Sequence, residues 1–158
     1  MGSTNIFLIE DKTLAKFNPK QTQYYVQTLQ EVLQNTQDTA DHVAPFFVKL
    51  DEAKQAGKVA EMDKAEFGEI KAEFDDAVSA YQKNAQTLAG LKVPVRFMGV
   101  HTIMAKAYKD YAAATAMMAD ALNEKDQTIN EADFAQSEKD QETFLTKIQA
   151  QVAKIFGA

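Results

Sequence analysis

The sequence predicts an all-α fold: an elongated, antiparallel up-down-up-down four-helix bundle with an extended N-terminal arm. Three observations predict it. Apolar residues recur at helical spacing in four long segments, each opened by a capping residue or a proline. Only 3 Pro and 6 Gly occur in 158 residues, which favours a few long helices over many short strands. Residues 94–122 are apolar nearly all round, with only Arg96, Lys106, Lys109, Asp110 and Asp120 charged. A helix of that kind has to be covered on most sides, and three other helices are available to cover it.

Residues 1–17 read as an arm or tether. The first five are small and polar, and Ile6-Phe7-Leu8-Ile9 is a short apolar run suited to an extended segment lying on the bundle. A lone strand has no partner elsewhere in the chain, so a sheet is not expected. The bundle domain occupies 18–158.

Asn18-Pro19 opens the first helix, with Gln21 completing a capping box. A heptad of Tyr25, Leu29, Val32, Thr36, Thr39, Val43, Phe46, Leu50 and Ala53 follows, stopping at Gly57. Pro45 lies inside and predicts a bend rather than a break. Asp63 caps the second helix, with Glu66 as box partner and Met62 and Phe67 as a hydrophobic staple. Its stripe is Phe67, Ile70, Phe74, Ala77, Tyr81, Asn84 or Ala85, and Leu88, and Gly90 is the expected left-handed stop.

The third helix presents one seam of Phe97, His101, Met104, Tyr108, Tyr111, Thr115, Met118 and Leu122. A second seam of Val100, Ala107, Ala114 and Ala121 allows close helix approach. The fourth repeats the entrance of the second, with Asn130, Asp133 and Ile129 in the places of Asp63, Glu66 and Met62. Its stripe is Phe134, Gln141, Leu145, Ile148, Val152 and Ile155, with Phe144 and Phe156 beside it. Two independent uses of good capping chemistry explain the repeat better than duplication, because helices one and three share no motif.

Composition narrows function. A net charge of −6 repels phosphate backbones, and no basic run offsets it, so nucleic acid is not an expected partner. Without Cys there is no disulfide scaffold, thiolate metal site or cysteine nucleophile. No apolar run reaches the ~18 residues of a membrane span. Met1–Thr4 lacks the basic start and apolar core of a signal peptide, and Ile6 breaks the myristoylation pattern.

Chemistry-bearing motifs are few. Di-iron bundles need Glu-x-x-His on two helices, but Thr39 precedes His42 by three and Met98 precedes His101 by three. Asp126-x-Thr128-x-Asn130 resembles half a calcium loop, yet Glu131 and Ser137 stand where Gly and Glu are needed. No phosphate loop, nucleophile elbow or dinucleotide fingerprint is present. No cofactor, metal ligand or catalytic residue is therefore assigned. The candidate ligand contacts are Arg96, His101, Tyr108 and Tyr111. His101 on an apolar seam reads first as a neutral core imidazole and second as a ligand group. Thr36, Thr39 and Thr115 read as a polar layer that fixes register, or else as the lining of a small polar cavity. Met104, Met117 and Met118 read first as core filling and second as an adaptable binding surface.

The run Val93-Pro94-x-Arg96-Phe97-x-Gly99-x-His101, followed by Ala107-Tyr108-x-x-Tyr111, resembles a group of small helical proteins of Gram-positive bacteria. Several of these are lipid-anchored at the cell surface. The resemblance covers about one helix plus the cap of the next and implies location rather than activity. Gly2-Ser3-Thr4 fits the small polar residues that follow a lipidated Cys, with Met1 in the place of that Cys. The function expected is a non-enzymatic helical binding module, extracytoplasmic in a Gram-positive bacterium, whose partner is a protein or another envelope component; the resemblance further implies a lipid anchor in the native precursor. The alternatives are a small-molecule binder or enzyme with a pocket at His101, and a cytoplasmic regulatory or immunity-type protein acting through a helix face.

Overall fold

The computed structural model describes residues 19–157, so the expected arm over 1–17 and the Asn18 cap lie outside the described residues. Four helices follow in order: α1 (Pro19–Gln55), α2 (Lys64–Gly90), α3 (Met98–Asp120) and α4 (Glu131–Phe156). The 37 residues of α1 span roughly 55 Å, and the bundle is elongated as expected. α2 packs against α1 and α3, and α3 against α4, whereas α1 and α4 make little backbone contact.

Both odd-numbered connections lie at one end. α1 stops in a Schellman turn: Gly57 takes φ 67°, its N–H donates to Lys54 O at 3.1 Å, and Lys58 N–H donates to Ala53 O at 2.8 Å. A single 3-10 turn (Val59–Glu61) leads on to α2. After α3 the chain forms a hairpin absent from the sequence expectation, β1 (Leu122–Asn123) against β2 (Thr128–Ile129). Leu122 therefore begins a strand instead of ending the third helix. Asn123 drives the turn, since its Oδ1 accepts from Asp126 N–H at 3.0 Å. Gln127, at φ 54°, reaches across and donates its amide to Met62 O at 2.7 Å and Val59 O at 3.0 Å. That one side chain ties the two connections together.

The other end holds the α2–α3 link. Gly90 is not the left-handed stop: it is the last helical residue, and extended Leu91 closes α2 by donating its N–H to Leu88 O at 3.4 Å. Leu91 packs against the core and Pro94 is buried, so the link runs inward and needs no reversal at the glycine. A 3-10 turn (Val95–Phe97) then precedes α3, which starts at Met98.

The expected capping boxes form by half. Asp63 accepts from Ala65 N–H and Asn130 from Asp133 N–H. Asn130's own N–H donates to Ala121 O at 2.8 Å, so the Asp133 carboxylate takes the Asn130 side-chain amide instead. Pro45 sits within α1 and the helix continues across it.

All eight residues of the expected α3 seam are buried. Six of them join two apolar clusters, one around Tyr25, Leu29, Leu88, Met104 and Ile155, the other around Leu50, Phe67, Ile70, Phe74 and Phe134; the buried His101 and Thr115 belong to neither. Each fully buried Leu, Ile or Phe contributes about 1.5–3 kcal/mol. The α1 heptad is weaker than its spacing predicts: no residue between Val32 and Leu50 is fully buried. On α4 none is fully buried between Ser137 and Ile148.

Candidate functional site

Where those two thinly buried stretches face each other, the layer is built from small and polar side chains. α1 contributes Ala40 and Ala44, α2 Ala77, α3 Thr115, and α4 Glu138 and Gln141. These cannot fill the space that Leu or Phe would fill, and a crevice of about 350 Å³ remains. That volume lies at the lower end of small-molecule sites. Val43, Phe47, Val48, Phe74, Tyr81, Tyr111 and Met118 complete the lining. Tyr81 and Tyr111 face it from one apolar cluster, Phe74 and Met118 from the other, so the crevice marks the gap between the two cores.

The polar groups here are few and neutral, with one exception. The Tyr81 and Tyr111 rings lie 5.0 Å apart, and burial raises both phenol pKa values. Thr115 donates its hydroxyl to Tyr111 O at 3.0 Å. Gln141 donates its amide to Met118 Sδ at 3.6 Å, a weak acceptor. The exception is the Glu138 carboxylate, exposed at the rim.

Directly above lies a polar layer. Thr36 donates to Val32 O at 2.7 Å, so its oxygen receives the Tyr108 hydroxyl proton at 2.6 Å. Asn84 donates to Tyr108 Oη at 2.9 Å and to Asn35 Oδ1 at 2.8 Å. Three helices are pinned in register by these bonds.

The four residues singled out in the sequence occupy separate environments. His101 is 5% exposed. Its Nε2 lies 2.9 Å from Leu88 O, which can only accept, so Nε2 carries the proton; Nδ1 then accepts from Tyr25 Oη at 2.8 Å. Both ring nitrogens are engaged within the fold. Arg96 is half-buried, its guanidinium carbon 4.8 Å from the centre of the Phe97 ring. Tyr108 belongs to the polar layer and Tyr111 to the crevice. His101 and Tyr108 are two turns apart, roughly 10 Å along the axis, so the four do not share one pocket. Ala44, Phe47 and Glu138 escaped the sequence reading, and Ala77 and Gln141 entered it only as stripe positions, not as candidate contacts. The one available signal was the polar Gln141 on an otherwise apolar stripe.

The three threonines divide. Thr36 serves the polar layer, Thr115 lines the crevice, and Thr39 lines a smaller groove of about 240 Å³ with His42 and Glu73. In that groove His42 Nε2 lies 2.8 Å from Glu73 Oε2. Met104 is core, whereas Met118 faces the crevice. A broader cleft of about 750 Å³ lies between the start of α1 and the end of α2, among exposed Lys20, Tyr24, Thr87 and Lys92. In the calcium-like stretch, Asp126 and Asn130 are occupied by turn and cap hydrogen bonds. No group of three or more metal-ligating side chains occurs among the described residues. None of the described helices is long and apolar enough to cross a membrane.

Compared with known protein families, curated proteins and solved structures, the chain finds no match.

Proposed function

We propose that this protein is a non-enzymatic helical binding module whose ligand enters the crevice between α1 and α4. The observation that carries the proposal is the open seam itself: a 350 Å³ space at the junction of two well-packed cores, lined by aromatic and small side chains. A chain that closes both halves of its core and leaves the middle unfilled forgoes stability there, as binding sites do. The binding reading is also supported by His101, whose two nitrogens are committed to Tyr25 and Leu88 and leave none for a substrate. The resemblance of the 93–111 stretch supports an extracytoplasmic location at a Gram-positive cell surface, with the partner or ligand drawn from the envelope.

Titration with indole, a neutral aromatic probe, tests the site. Saturable shifts of the Met118 and Thr115 methyl resonances are expected, and Ala77→Leu should abolish them by filling the floor. Indole shifts scattered over the surface, or none at Met118, would overturn the proposal.

A further inference from the structure

The crevice has a charge preference that its apolar lining alone would not impose. Among its lining residues Glu138 is the only one that carries a charge at neutral pH, because the Tyr81 and Tyr111 phenols stay protonated. Glu138 forms no ion pair or hydrogen bond among the described residues, whereas Lys54, Lys71 and Lys106 each pair with a carboxylate. No lining residue is cationic. Inside the rim stand the aromatic side chains of Phe47, Phe74, Tyr81 and Tyr111. Aromatic faces attract cations, more strongly where water is excluded. Gln141, whose amide is spent on a thioether, adds a side-chain oxygen at the same rim that can accept a hydrogen bond from an ammonium.

We propose that the ligand of this crevice is a small amphipathic amine: an aromatic or compact alkyl body seated among Phe74, Tyr81, Tyr111 and Met118, with an ammonium group at Glu138 and Gln141. The proposal rests on the crevice being the binding site. The crevice of about 350 Å³, kept open by Ala40 and Ala44, suits a small body of one or two rings. An anionic ligand of the same shape would meet an unpaired carboxylate at the mouth and is disfavoured. The free amine and its ammonium form are distinguished by the same contacts, because only the charged form gains from both the carboxylate and the ring faces.

Benzylammonium, benzyl alcohol and benzoate share a ring and differ in charge, so they separate the charge preference from the binding site itself. Each is titrated into the full chain while the Met118 and Thr115 methyl resonances are followed, and the series is repeated with Glu138→Gln. Benzylammonium is expected to bind about fivefold to tenfold tighter than benzyl alcohol, with benzoate weakest. Glu138→Gln should narrow the difference, weakening benzylammonium and relieving benzoate. Glu138 is exposed on α4, so the variant keeps the core intact. Equal affinities for all three probes, unchanged by Glu138→Gln, would overturn the amine assignment and leave the crevice as the binding site. Absence of any shift at Met118 with all three probes would overturn both.

Discussion

Tyr25 on α1 and His101 on α3 share a buried hydrogen bond of 2.8 Å across 76 positions of sequence, with the tyrosine as donor. The direction follows from the other side of the ring, where Nε2–H donates to the Leu88 carbonyl. Tyr25 also stacks on Phe97, ring centres 5.8 Å apart. One side chain of α1 thus holds the end of α2 and the entrance of α3 together.

Tyr25→Phe keeps the ring and removes the donor, leaving His101 Nδ1 buried without one. The expected cost is about 1–3 kcal/mol in denaturant unfolding. Nitrogen NMR of the parent protein should show the Nε2–H tautomer. An Nδ1–H tautomer, or an unchanged midpoint in Tyr25→Phe, would contradict this geometry.

The polar layer should behave as a coupled unit. Thr36→Val deprives the Tyr108 hydroxyl of its acceptor and should cost about 1–2 kcal/mol. Tyr108→Phe removes the hydroxyl from the other side. A double-mutant cycle should show the pair coupled by about 0.5–2 kcal/mol, with the double variant less destabilised than the two singles summed. Strict additivity would mean the 2.6 Å contact contributes nothing.

Alkaline pH should destabilise the fold. Burial raises the pKa of Tyr25, Tyr81, Tyr108 and Tyr111 above the ordinary 10.0. Above pH 10 the unfolded chain loses these protons and the folded chain keeps them, so the unfolded state gains. Stability is fully present below pH 10 and is lost as pH rises toward the folded pKa values. The slope is up to about 1.4 kcal/mol per pH unit for each such tyrosine. Unfolding free energy followed together with tyrosinate absorbance checks it; a flat profile above pH 10 would contradict burial of the four phenols.

Two glycines that look alike in sequence should respond oppositely to alanine. Gly57 holds φ 67°, so Gly57→Ala should cost about 1 kcal/mol. Gly90 is helical and a methyl group there meets nothing within 4 Å, so Gly90→Ala should stabilise by up to about 1 kcal/mol. Thermal unfolding of both variants decides it, and equal signs would be incompatible with the two backbones.

What was legible in the sequence follows from how far each inference reaches along the chain. The eight-residue seam of α3 could be read because heptad spacing is local, and the caps at Asp63 and Asn130 could be read for the same reason. The Leu122–Ile129 hairpin was missed because two-residue strands carry no periodicity. His101 could be placed on a buried seam, but its partner Tyr25 lies on another helix. The crevice was missed for a different reason. It arises from what Ala44, Ala77, Thr115 and Gln141 fail to fill, and their meeting in one layer depends on axial register among four helices. Spacing within each helix says nothing about that register.

The central claim is that the α1–α4 seam is an open binding site rather than a poorly filled core, and Ala77→Leu tests it most directly. Indole is titrated into parent and variant while the Met118 methyl resonance is followed, with unfolding measured on the same samples. The account predicts saturable binding to the parent, none to Ala77→Leu, and a variant more stable by about 1–2 kcal/mol from apolar area newly buried. A variant destabilised by overpacking, or a parent whose Met118 resonance never moves, would contradict it.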